Sequence, residues 1–444
     1  MTDQSGLKEI PKVFSFLGRK FTNNPLGFLS EISRVGDVVK FRIGTQDIIF
    51  LNHPDFIKDV LVTNAHKFIK GRVLQKAKKV LNEGLLTSEG EIHLKHRKMI
   101  QPAFHRQRIA EYSKIMTECA AEWVEKRFDG EILEIDKQMN RLTLKIVAKA
   151  LFSADVDDEA DEVGKALTSL VEMFKYALLP FSEILEKLPL PQVKKMKRAR
   201  ETLDEVIYKI IKERRQGGHR KDDLLSILLQ TQDEEDSTKL TDQQIRDEAL
   251  TLFLAGHETT ANALTFTWYL LSQNADKEEK LHQELQEVLK GRKPSFDDYN
   301  KLKYTEAVFA EAMRLYPPAW ALGRLAVESH EINGYQIPKG SLVLVSTFIT
   351  HRDSRFWEMA DEFLPERWEK LSIREVSSRF IYFPFGGGVR RCIGENFAWT
   401  EAVMLISTIA QSCRFRTIDP EALRLNPLIT LRPKNAVKMK VEKR

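Results

Sequence analysis

The chain has 444 residues, 42% hydrophobic and 30% charged, enough apolar material for a large core and too little bias for bulk disorder. Lysine and arginine number 69 against 64 aspartate and glutamate, too mild an excess for a concentrated nucleic-acid-binding face. Three cysteines, Cys119, Cys392 and Cys413, form no CxxC pair, which argues against structural zinc and fits a reducing compartment.

The opening stretch MTDQSGLKEIPKVFSFLGRK has no apolar run near the ~20 residues that a bilayer span needs and no signal-peptide core. The expectation is a cytoplasmic monomer with no stable membrane anchor. VVKFRIG and DIIFLN, between Asp37 and Asn52, read as two strands joined at Gly44-Thr45-Gln46. From about 95 to 315 the periodicity is helical. The loop TQDEEDSTKL, Thr231 to Leu240, separates two helices. Thr241 with Gln244 makes a capping box, and Leu240 with Ile245 a hydrophobic staple. The helix they open is predicted to reach about Asn274, roughly 50 Å at ~1.5 Å per residue. It is nearly continuously apolar from Leu250 to Leu271, so most of its faces should be buried.

DKEEKLHQELQEVLK forms the next helix and stops at Gly291. Another runs from about Thr305 to Leu315 and ends before Pro317-Pro318. EINGYQIPKGSLVLV brings strands back, with Asn333-Gly334 as a hairpin turn. A loop-rich segment leads to Cys392, and a last helix spans about Asn396 to Gln411. The run Lys194-Lys195-Met196-Lys197-Arg198-Ala199-Arg200 reads as a solvated helix face, with a transient membrane-surface contact as the alternative. There is no repeat and no composition break. The reading is one domain over 1–444, mainly α with a smaller β portion (α+β). Its β-richer parts lie at about 37–52 and 325–390.

The stretch PFGGGVRRCIGENFA, Pro384 to Ala398, carries the chemistry. Its glycines free the backbone for tight turns. Its arginines and the following helix favour a thiolate at Cys392. A dinucleotide fingerprint starting at Gly386 fails because Arg391 stands where glycine is needed. A phosphate loop lacks its Gly-Lys-Ser/Thr. A cysteine nucleophile would need a distant histidine, and a plain glycine loop with a chance cysteine is the remaining alternative to a single thiolate ligand for haem iron.

Here the pattern becomes specific. Phe385-x-x-Gly388-x-Arg390-x-Cys392-x-Gly394 resembles the haem-binding signature of the cytochrome P-450 family, in its soluble bacterial type. The resemblance implies that Cys392 is the proximal iron ligand and that Arg390 pairs with a haem propionate, with Phe385 and Gly394 completing the loop. Ala255-Gly256-His257-Glu258-Thr259-Thr260 resembles the family's oxygen-activation motif. By that resemblance Thr259 would hydrogen-bond oxygen and Glu258 would relay protons, although many members carry aspartate at this position. Taken alone, Ala255, Thr259 and Ala263 are a small-residue stripe one helix turn apart. Such a stripe can equally serve helix packing, with Thr259 bonding back to a preceding carbonyl.

Two more stretches agree. Glu311 and Arg314, with Arg367 in Pro365-Glu366-Arg367-Trp368, resemble the family's structural ExxR–arginine triad. Many relatives carry phenylalanine where Trp368 sits. His93 and Arg97, one turn apart, and Arg324, just before the strands, resemble propionate-binding positions; without the family context His93 and Arg97 can equally be a solvated basic helix face.

The resemblance implies the cytochrome P-450 fold, a triangular prism with a long central helix over the haem. It implies a haem-thiolate monooxygenase with haem b (iron protoporphyrin IX) and O2. Electrons would come from NAD(P)H through a ferredoxin or flavodoxin and its reductase. Arg390, Arg391, Lys95, Arg97, Lys98, His105 and Arg106 could steer such an acidic partner. The substrate is expected to be a hydrophobic small molecule such as a fatty acid, terpenoid or steroid. It would be covered by Phe68, Leu74, Leu85, Phe174, Tyr176, Leu178, Leu179 and Phe181, unless these are plain core. An H2O2-driven peroxygenase and a haem-binding sensor without turnover are the alternatives.

Overall fold

Gly44 takes a positive φ of 58°, and its turn joins β1 (Val38–Ile43) to β2 (Gln46–Leu51), paired antiparallel from Val38–Leu51 to Ile43–Gln46. The hairpin is as expected, except that Gln46 already belongs to β2. The computed structural model describes residues 10–12, 17–154, 163–167, 169–170, 191–216, 223–230 and 239–444. The candidate substrate residues Phe174, Tyr176, Leu178, Leu179 and Phe181, and the loop residues 231–238, lie outside them.

After β2 come β3 (Phe68–Lys70), α1 (Gly90–Ile100) and α2 (Arg106–Glu125). β4 (Ile132–Glu134) leads directly into α3 (Ile135–Phe152), and α4 spans Pro191–Gln216. α5 (Asp242–Gln273) opens on the Thr241–Gln244 capping box, with Leu240 and Ile245 both buried. α6 (Ala275–Leu289) ends through left-handed Lys290 and Gly291, and α7 spans Lys303–Leu315. Then follow β5 (Leu322–Ala326), β6 (His330–Ile332), β7 (Tyr335–Ile337) and β8 (Leu342–Val345). The β6–β7 turn is Asn333-Gly334, both with positive φ. The chain closes with α8 (Glu395–Ser412), β9 (Cys413–Thr417), β10 (Leu425–Pro427), β11 (Leu431–Pro433) and β12 (Lys438–Lys443).

Two expectations need correction. The strands of the 325–390 stretch end at Val345, and 346–390 is built of turns and short helices. Arg324 does not precede the strands. It lies inside β5, opposite Lys70 of β3 and Val343 of β8.

The chain groups into two compact units, Met1–Lys76 with Ala310–Cys392 and Ala77–Phe309 with Ile393–Arg444. The first holds a five-stranded sheet of order β1-β2-β8-β5-β3, in which β2 and β8 are parallel. Its core includes Ile49, Leu51, Ile57, Val60, Val343 and Val345, and Phe68 belongs to this core.

Beside this core, the same unit buries an ion cluster. Glu311 and Arg314 share one face of α7 and are completely buried. Glu311 Oε1 accepts from Arg314 Nη2 (2.9 Å), Arg367 Nε (2.9 Å) and the Leu364 amide (3.0 Å). Glu311 Oε2 accepts from Arg314 Nε (2.9 Å) and Trp368 Nε1 (3.0 Å). Arg314 spends its remaining donors on the carbonyls of His351, Ala360 and Glu362. The sequence places these residues as scaffold, and the geometry adds a donor that phenylalanine could not supply, the Trp368 indole N–H.

In the second unit α5 is buried along most of its length. It packs on α3, where Phe253 stacks on Phe152 at 4.3 Å between ring centroids. A Cβ on Gly256 would come within 3.1 Å of Val147, so this glycine serves the α5–α3 contact. α8 packs on α2, with Phe397 beside Tyr112 and Phe104. A three-stranded sheet of order β4-β12-β9 and the two-stranded β10–β11 hairpin complete the unit. On α4, Lys194, Lys195, Lys197 and Arg198 are exposed and Ala199 is buried, as a solvated face requires.

α8 also buries a carboxylate. Glu401 is fully buried, and burial pushes its pKa up to about 8. Thr260 of α5 is the side chain beside it, and that hydroxyl is 3.3 Å from the Gly256 carbonyl.

Two stability outcomes follow. The native state keeps a proton on Glu401 that the unfolded chain loses near its ordinary carboxyl pKa of 4.5. This group's stabilisation is therefore complete below about pH 4.5 and is lost, at about 1.4 kcal/mol per pH unit, until pH reaches about 8. Glu401→Gln should gain on the native protein steadily between pH 5 and 8 in urea unfolding, whereas a pH-independent difference would mean an ionised Glu401. Trp368→Phe strands one lone pair of a buried carboxylate and should cost about 1.5–3 kcal/mol. An unchanged urea midpoint would contradict that role of the indole.

Candidate functional site

The cysteine loop belongs to the first unit. Gly386 and Gly388 have φ of 71° and 63°, which favours glycine. A Cβ at 388 would lie 2.2 Å from the Leu61 carbonyl oxygen, and one at 387 would lie 2.5 Å from the Phe380 ring. These glycines let the loop lie flush on its own unit. The Gly386 amide donates to the Phe383 carbonyl (2.9 Å), and the Cys392 amide to the Phe385 carbonyl (3.0 Å), which closes the loop. Arg390 sits half-buried in a single helical turn, Gly388–Arg390, and Phe385 is also half-buried. Cys392 is exposed, whereas Cys119 and Cys413 are buried. Burial pushes the Cys413 thiol up, so its thiolate is disfavoured. Gly394 is the residue from which α8 starts.

The loop is anchored to the Glu311 cluster. The Phe383 amide donates to His351 Nε2 at 2.8 Å, and the His351 carbonyl accepts from Arg314. Burial holds the His351 imidazole far below its ordinary pKa. A neutral ring is what an accepting Nε2 requires.

In the second unit, α5 is interrupted on one side. Ala255 is exposed and Gly256 and Thr259 are half-exposed, while His257, Glu258 and Thr260 are buried. Ala263 enters the core, so the stripe of small residues is shorter than expected. Thr259 donates its hydroxyl to the Ala255 carbonyl at 2.6 Å, the back-bonded arrangement. Its oxygen keeps a lone pair for another donor. Thr143 of α3 donates to the His257 carbonyl (2.9 Å). Burial pushes the His257 imidazole down, and its Nδ1 bonds the Phe253 carbonyl (2.7 Å). Glu258 turns to the β10–β11 hairpin, where the Thr430 hydroxyl donates to Oε1 and Arg432 Nη2 stands 3.6 Å away.

α1 carries both expected propionate residues, with His93 buried and Arg97 half-buried. Between them, His96 Nδ1 meets Glu248 Oε1 at 2.7 Å, and Glu248 Oε2 accepts the Leu85 amide at 3.0 Å. This buried bond ties α1 to α5. Leu85 is buried too and Leu74 half-buried, while Arg324 is 8% exposed.

Taken by itself, the cysteine loop fits a haem ligand, an exposed cysteine on a loop fixed within the first unit. Within the second unit, α5 has an open step of small side chains on an otherwise buried helix. Thr430, Arg432, His96, Glu248 and His351 were not singled out by sequence reasoning. Each acts through a partner far away in the chain, which leaves no local signature.

The family model described as Cytochrome P450 matches residues 5–440. Cyclooctatin synthase of Streptomyces melanosporofaciens is 39% identical over 414 residues, covering 92% of this chain and 89% of that protein. Cyclooctat-9-en-7-ol 5-monooxygenase of the same organism is 35% identical over 90% of this chain and 87% of its own. Pentalenene oxygenase of Streptomyces avermitilis is 34% identical, with 90% and 88% covered. The chain therefore belongs to the cytochrome P450 family and is a P450 monooxygenase, an oxidoreductase with haem iron as cofactor and O2 as co-substrate.

Proposed function

We propose that this monooxygenase inserts one oxygen atom from O2 into a C–H or C=C bond of a terpenoid. The observation that carries the substrate class is the naming of three long-range relatives for cyclooctatin, cyclooctat-9-en-7-ol and pentalenene. It narrows the wider choice of fatty acid, terpenoid or steroid. Electrons come from NAD(P)H through a ferredoxin or flavodoxin with its reductase, in the cytoplasm. Among the described residues no helix is long and apolar enough to cross a membrane.

Haem supplies the oxygen activation when bound. When bound, haem iron would be held by the Cys392 sulfur, and the exposure of this cysteine supports the assignment. Phe385 and Gly394 would frame that loop. Arg390, His93, Arg97 and Arg324 would meet its propionates. Ala255 leaves the open step on α5 for the flat group. Thr259 positions oxygen through its hydroxyl, and Glu258 hands protons towards it. Because Thr259 already donates to Ala255, it acts by accepting a proton and passing on its own. Retention of the Glu258–Thr259 pair speaks against a peroxide-driven enzyme.

The test is a spectral titration of the haem protein with pentalenene, a linear diterpene alcohol, a C16 fatty acid and a steroid. The terpenoids should displace the resting spectrum at concentrations at least ten-fold lower than the others. A fatty acid or steroid binding tightest would overturn the substrate class. With the best ligand, Thr259→Ala should still consume reducing equivalents but divert most of them to hydrogen peroxide. Unchanged product yield would remove Thr259 from the mechanism.

A further inference from the structure

We infer that Thr430 and Arg432, on the β10–β11 hairpin, position the Glu258 carboxylate, so that its orientation is set by the hairpin as well as by α5. The functional weight of this rests on the proton-relay reading of Glu258 given above.

Glu258 and Thr259 are neighbours on a helix of 3.6 residues per turn, so their side chains leave the axis about 100° apart. The carboxylate does not reach the Thr259 hydroxyl by helix geometry. Its direction depends on what holds its far end. That end is buried, at 6% exposure, and Oε1 accepts a hydrogen bond from the Thr430 hydroxyl at 2.5 Å. Thr430 is itself only 7% exposed. The Arg432 guanidinium faces the same oxygen at 3.6 Å, and its Nε and Nη2 are buried without another hydrogen-bond partner. His257, next to Glu258, is held neutral by burial, so Arg432 is the cation opposite the carboxylate.

The hairpin is weakly held by its own backbone. It has three residue pairs, Leu425–Pro433, Asn426–Arg432 and Pro427–Leu431, and proline cannot donate to a ladder. The Thr430–Glu258 bond is one tie between the hairpin and α5, beside the burial of Leu431. The coupling is mutual: a hairpin that moves takes the carboxylate's partners with it, and a carboxylate that swings away releases the hairpin.

The test uses the full-length haem protein without added substrate, as Thr430→Val, Thr430→Ser, Arg432→Gln and Glu258→Gln variants. Thr430→Val keeps the shape and removes the hydroxyl. It should shift the Glu258 carboxylate infrared band, identified by its loss in Glu258→Gln, and speed amide exchange at residues 428–432 several-fold. Thr430→Ser should restore both. Arg432→Gln should shift the same band. A band and exchange pattern unmoved by Thr430→Val would overturn the inference and leave the relay reading standing. The relay reading is tested separately. Glu258→Gln should raise peroxide release per NAD(P)H several-fold with a reconstituted donor, and no rise would overturn the relay reading while the infrared band still decides the positioning claim.

Discussion

One buried carboxylate organises the first unit. Removing an ionised group from water costs several kcal/mol unless every lone pair is satisfied. Glu311 meets that demand with donors from Arg314, Arg367, Trp368 and the Leu364 backbone. Arg314 in turn ties the carbonyls of three separate turns to α7. From His351 the network passes to the Phe383 amide, and from there to the loop that ends at Cys392. The placement of the sulfur is thus inherited from a polar core formed far from it in sequence. Glycines at 387 and 388 let the loop lie against Phe380 and Leu61, where any side chain would collide.

The second unit solves a related problem on α5. The helix is buried on most sides and still carries polar residues. Each is given a partner: Thr259 the Ala255 carbonyl, His257 the Phe253 carbonyl, Glu258 the Thr430 hydroxyl. Partnered groups keep the buried helix stable. Glu401 is the contrasting case, a carboxyl that burial keeps protonated instead of paired.

Much of this was legible in the sequence. The Thr241–Gln244 capping box, the Asn333-Gly334 hairpin and the Gly291 stop are local signals, and the structure has all three. The long apolar run of α5 announced its burial. What escaped was non-local. β4 and β12 form by pairing with distant partners, as Met439 does with both Leu133 and Thr417, and β10 and β11 have three residues each, too few for a periodic signal. Arg324 is expected just before the strands, yet β3 and β8 pair on either side of it. Spacing alone puts Glu311 and Arg314 on one helix face, and only the fold shows them fully buried with Arg367 and Trp368 over them. Trp368 itself read as a conservative exchange, because a single indole N–H leaves no mark on hydrophobicity.

The proposed function stands on Cys392 as the sulfur donor to haem iron. The most direct measurement is the absorption spectrum of the reduced, carbon-monoxide-treated protein beside its Cys392→Ser variant. The account predicts a thiolate-type Soret band in the native protein and its loss in the variant, with the fold retained by circular dichroism. A band that persists unchanged in Cys392→Ser would contradict it.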